Sequence, residues 1–128
     1  MTWVRTRHPV VDERGSSAVE LAIILSVFLS ALFGIIKVAI MLWTLSSLHY
    51  ATENAARYAS ICTTSCSPTV ATYAANQYFG QSLGGTNPFT YSPNTGCGNT
   101  VTANYTYQLV IPLVGTYSVP LRTAACSP

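Results

Sequence analysis

Residues Gly15 to Leu45 read GSSAVELAIILSVFLSALFGIIKVAIMLWTL. From Leu21 onward the run is apolar on every side and interrupted once, by Lys37. A bilayer-crossing helix needs ~20 mostly apolar residues, and this run meets that length. Lys37 lies towards its far end, where a long side chain can snorkel to the headgroups. Trp43 and Tyr50 follow, as aromatics at a membrane interface often do. The run exceeds the ~7–15-residue core of a secretory signal, and no small-residue cleavage site closes it. It therefore reads as a retained single span.

Outward from that run the charges are uneven. Arg5, Arg7, Asp12, Glu13 and Arg14 precede it, and only Arg57 follows closely. An excess of basic residues on one flank predicts a cytoplasmic N-terminus and an exported C-terminal half. Beyond Arg57 the one charged residue is Arg122. The chain has 128 residues and a net charge of +2, too small and too scattered for a nucleic-acid surface. After Glu53 there is no Asp, Glu or His. Acid–base and triad chemistry need such groups, so the outer half is not expected to catalyse, and neither a cofactor nor a small-molecule substrate is implied.

The sequence divides into a leader over 1–15, a transmembrane and stem helix over 16–60, and a small extracytoplasmic part over 61–128. Pro9 stops a helix from running through the leader. Leu45, Leu48, Ala55 and Ala59 form a stripe on the outer stem, and Glu53 and Arg57 make an i,i+4 pair. His49 has no second ligand at helical spacing and reads as interfacial. The segment from Ile61 to Pro68 must end the stem helix. Val70 to Phe79 predicts a short second helix, with Gly80 as its stop. Gly80 to Asn99 reads as loop. Thr100 to Ile111 alternates and is rich in Thr, Tyr and Val, which predicts a strand. Pro112 to Gly115 is the turn and Thr116 to Ala125 a second strand, with Pro120 marking an edge. The expected class is α+β: a long helix, a short helix, and a small hairpin or sheet stapled by disulfides.

Cys62, Cys66, Cys97 and Cys126 all fall in the exported part. An even count there predicts two disulfides, and four cysteines allow three pairings. A hairpin about Pro112 to Gly115 would place Cys97 and Cys126 at one open end, leaving Cys62 for Cys66. The alternative is zinc, since Cys62-x3-Cys66 resembles a ligand pair. The isolation of the other two cysteines, the absence of a nearby histidine and the compartment argue against it. The tyrosines Tyr73, Tyr78, Tyr91, Tyr105, Tyr107 and Tyr117 read as core and strand-face residues before they read as a binding surface. Asn104-Tyr105-Thr106 fits the glycosylation pattern, a weak signal.

Two features of the apolar run remain. Glu20 stands at its doorway. Ser17-Ala18-Val19-Glu20 fits a capping box, which accounts for the carboxylate but not for the joined leader, glycine and span. Ala18, Ala22, Ser26, Ser30 and Gly34 recur at every fourth residue, a spacing that lets helix backbones approach closely in lipid.

A basic leader, Gly15, four residues, Glu20 and a span resemble the prepilins of the type IV class. The longer stretch, with its S-A-V-E entry, Leu32-Phe33-Gly34-Ile35-Ile36 and Ala55-Ala56-Arg57-Tyr58-Ala59, resembles the TadE-like minor pilins, or pseudopilins, of tight-adherence (Flp/Tad) pili. The resemblance covers about the first sixty residues. It implies that a prepilin peptidase cuts between Gly15 and Ser16. It implies that Glu20 neutralises the new amino terminus of a neighbouring subunit, and that the partners are the membrane, other pilins or pseudopilins and the pilus assembly platform. Lys37 departs from the family pattern, which often has an acidic or neutral residue there. A different class fits the same residues: an uncleaved single-span anchor whose outer part binds a ligand or partner.

Overall fold

The structure is a computed structural model describing residues 13–62 and 66–128, with side chains from Gly15 onward. Leader residues 1–12, including Arg5, Arg7 and Pro9, lie outside the described residues. Helix α1 runs over Glu13–Ile61 and α2 over Cys66–Gln77; strands β1 (Phe89–Thr95), β2 (Gly98–Ile111) and β3 (Gly115–Ser127) follow. The strands form one antiparallel sheet in the order β1-β2-β3. The long apolar helix, the short helix and the sheet match the class expected from the sequence.

At 1.5 Å per residue α1 is about 74 Å long. It starts ahead of Ser16, so Ser17 lies inside the helix and not at its cap. In the uncut chain the capping-box account of Glu20 therefore fails, because a capping residue must stand outside the helical turn it caps.

The core sits at the far end of α1. Leu48, Ala51, Ala55, Ala56 and Ala59 are buried, with Thr44, Ser47 and Thr52 among them. Around Leu48, the small Ala, Ser and Thr side chains let β2 and β3 lie close across the helix, while α2 packs against α1 and β1. The sheet turns one face inward at period two. On β2 that face holds Val101, Ala103, Tyr107 and Leu109, and on β3 it holds Leu121 and Thr123. The Thr52 and Thr123 hydroxyls meet at 3.3 Å, joining helix and sheet by a buried polar contact. Glu53 and Arg57 stay on the exposed side of α1.

Two elements differ from the sequence reading. Helix α2 starts at Cys66, ahead of Pro68. A proline in the first turn forfeits no helical hydrogen bond, because that N–H has no acceptor there. The segment read as loop contains β1. Phe89 and Tyr91 pair with Ala103 and Val101, and the register shifts between Ser92 and Thr95. That irregularity, with Asn94 at φ 53°, accommodates Pro93 on an edge strand.

All four cysteines are paired. Cys97 and Cys126 join the turn before β2 to the end of β3 with Cα atoms 6.2 Å apart, and Cys62 joins Cys66 across the α1–α2 junction at 5.8 Å. With no free thiol among the described residues, the zinc reading is set aside. Removing the sulfurs' redox chemistry leaves staples for a domain too small to rely on its core alone.

Candidate assembly surface

Helix α1 changes character along its length. From Gly15 to Leu29 every residue is exposed, whereas from Thr44 onward one side is buried under the sheet and α2. Apolar side chains with no intramolecular partner, among them Val19, Ile23, Val27 and Phe28, therefore cover a helix surface of about four turns. The helix is long and apolar enough to cross a membrane, and the segment with that character is not buried in the protein. An all-round apolar helix needs lipid or other helices around it.

The residues singled out in the sequence fall into two groups. Gly15, Ser16, Ala18, Glu20, Ala22 and Ser26 are all exposed. A Cβ added to Gly15 would meet nothing within 4 Å, so the fold of this chain does not require glycine there. Ser26 turns its hydroxyl back to the Ile23 carbonyl at 2.8 Å, which leaves a small, self-satisfied surface. The other group is Ser30 and Gly34, which lie against the β2–β3 turn. Ser30 Oγ donates to the carbonyl of Pro112 at 3.0 Å. The position of a Gly34 Cβ would be 3.9 Å from the Ile111 side chain. The upper end of the small-residue stripe thus receives the protein's own hairpin, and its lower end is open.

Composition alone marks Pro112 to Gly115 as a turn and does not reveal this contact. A signal was present. Leu109-Val110-Ile111-Pro112-Leu113-Val114 is apolar on both faces of the strand and through the turn, whereas a half-buried strand alternates.

The two aromatics near the end of the apolar run have a second task. Trp43 and Tyr50 hold Phe79 between them in edge contacts at 5.7 and 5.4 Å, and Phe79 N–H donates to Ser47 Oγ at 2.9 Å. This clasp fixes the chain as it leaves α2. Next to it, Tyr78 donates to the Gln81 carbonyl at 2.7 Å. Partial burial pushes the Tyr78 phenol above its usual value, with a hydrogen bond to Thr44 opposing. A groove beside the stacked rings of Tyr58 and Tyr73 is lined also by Pro68, Thr69, Thr72 and Asn76. It offers no carboxylate, imidazole or free thiol. No group of three metal-binding side chains occurs among the described residues.

Fold and surface together define a class: a long, exposed apolar helix carrying a small disulfide-stapled head. The family model described as TadE-like protein matches residues 15–57. The match opens at Gly15 and follows α1 almost to its end, so the likeness is carried by the long helix and does not extend to the head. No curated protein and no solved structure matches the chain.

Proposed function

We propose that this protein is a minor pilin or pseudopilin of the tight-adherence pilus. It is held in the cytoplasmic membrane by α1, with its leader in the cytoplasm and its disulfide-bonded head outside. A prepilin peptidase removes the leader between Gly15 and Ser16. The chain then joins other pilins through α1, on or beneath the pilus, at the assembly platform. The observation that carries this reading is the coincidence of the family match with an unburied helix: the likeness begins at Gly15, and the fifteen residues from Gly15 to Leu29 are all exposed.

The chemistry of the entry follows. A carboxylate within a bundle of apolar helices is costly unless a cation neutralises it. Cleavage before Ser16 creates an ammonium on each subunit, and Glu20 stands one helical turn from it. Its neutralisation by a neighbour's terminus would set the stagger between subunits. Glu20→Ala is then expected to leave membrane insertion intact and to remove the protein from the pilus fraction. Normal recovery of Glu20→Ala in that fraction overturns the role given to the carboxylate.

A further inference from the structure

The β2–β3 hairpin does not stop at the end of the soluble head. It runs down α1 from Thr52, which meets Thr123, to Ser30, which meets Pro112. Its tip is apolar and open: Leu113 is 85% exposed and Val114 60%. Leu113 is held there at φ 69°, a left-handed backbone that disfavours a leucine. An aliphatic side chain held outward at a strained position needs an apolar partner from elsewhere.

We infer that this tip enters the lipid leaflet nearer the sheet, beside α1, and gives the protein a second membrane contact. The inference rests on α1 being a membrane span. Two polar markers, one on each element, lie at similar distances from the Ser30–Pro112 contact. On α1 the first charged side chain beyond Ser30 is Lys37, about 10 Å along the helix, whose long stem can carry its ammonium to the headgroups. On the hairpin the marker is the facing pair Gln108 and Ser118, where the Ser118 hydroxyl donates to Gln108 Oε1 at 3.1 Å. That pair lies about 13 Å from Pro112 along the strand. Between the pair and the turn every residue is uncharged, and only Gly115, Thr116 and the amphipathic Tyr117 depart from an apolar run. Both markers therefore place the tip about 10 Å into the leaflet, the depth at which interfacial elements settle.

Part of the turn's backbone is already paired, which lowers the cost of bringing it against lipid. Val114 N–H donates to the Ile111 carbonyl at 3.2 Å, and the Pro112 carbonyl accepts from Ser30. Pro112 has no N–H to satisfy.

The test uses the full chain in phosphatidylcholine vesicles, with Trp3→Phe and Trp43→Phe as background and lipid brominated on the acyl chains as quencher. Leu113→Trp should emit at short wavelength and lose most of its intensity to brominated lipid. Val114→Trp, whose backbone is not left-handed, should do the same. Ala124→Trp, far up the exposed face of the sheet, should emit as in water and stay unquenched. Phe28→Trp reports on the span itself. Quenching of Phe28→Trp without quenching at 113 or 114 overturns the inference about the tip and leaves the span standing. Short-wavelength emission at 113 that brominated lipid does not quench shows protein, such as a second copy, covering the tip, and also overturns it. Loss of quenching at all three positions overturns the membrane span and with it this inference.

Discussion

Ser30 and Pro112 are joined by a 3.0 Å hydrogen bond, although they are far apart in the chain and one lies in the middle of the apolar run. The contact couples a membrane-type helix to the farthest point of the sheet. Its energy is modest. A single hydrogen bond contributes about 1 kcal/mol, while the sheet is held elsewhere by Leu48, Ala51 and Ala55. Ser30→Ala should therefore free the tip without unfolding the head. Amide exchange at Leu113 and Val114 in detergent should rise about five-fold, with exchange at Val101 and Ala103 unchanged. Unchanged exchange at the tip would show that the bond does not hold it.

Gly34 separates packing within the chain from packing between chains. An added Cβ would touch Ile111 at an ordinary 3.9 Å. Alanine also favours a helix over glycine by about 1 kcal/mol. Gly34→Ala is expected to keep or slightly raise thermal stability in detergent. If the small stripe also packs against neighbouring helices, the same substitution should lower recovery in the pilus fraction, and Ala22→Leu should lower it further. Unaltered recovery of both variants would restrict Gly34 to its place under the hairpin.

The two disulfides close loops of different size, with sequence separations of 29 and 4. By loop entropy the larger stabilises by about 3.5 kcal/mol and the smaller by about 2 kcal/mol. Cys97→Ser with Cys126→Ser should therefore cost more in denaturant unfolding than Cys62→Ser with Cys66→Ser. The sheet offers a structural reason for the same order, because Thr100 faces Cys126 at the ladder's open end. Alkylation of native protein without reductant should label no cysteine. The reverse order of stabilities would mean that the α1–α2 junction, not the sheet, limits unfolding.

The elements that could be read from sequence were those dictated by local pattern. The apolar run specified α1, and the alternation of β2 and β3 specified a hairpin whose register carries Cys97 towards Cys126. Pro120 reads as an edge marker, and β3 is an edge. The elements missed were those in which a tertiary partner outweighs composition. In β1, Phe89 and Tyr91 gain the core and a ladder on β2, which outweighs Pro93 and its polar neighbours. In α2, Pro68 reads as a stop unless its position in the first turn is known. The seat of the hairpin on Ser30 and Gly34 depends on how far a long sheet extends along a straight helix, which no local window contains. Gly15 and Glu20, by contrast, stand out in the sequence, and the fold adds that neither is used to hold this chain together.

The central claim is that the protein is processed at Gly15 and assembles through the helix this exposes. Intact-mass and N-terminal peptide analysis of protein isolated from its native membrane and pilus fractions tests it directly. The account predicts a mature chain beginning at Ser16, and an uncut chain when Gly15→Lys is introduced. Native protein that still carries Met1 to Gly15 in both fractions would contradict it and leave a tethered, uncleaved anchor.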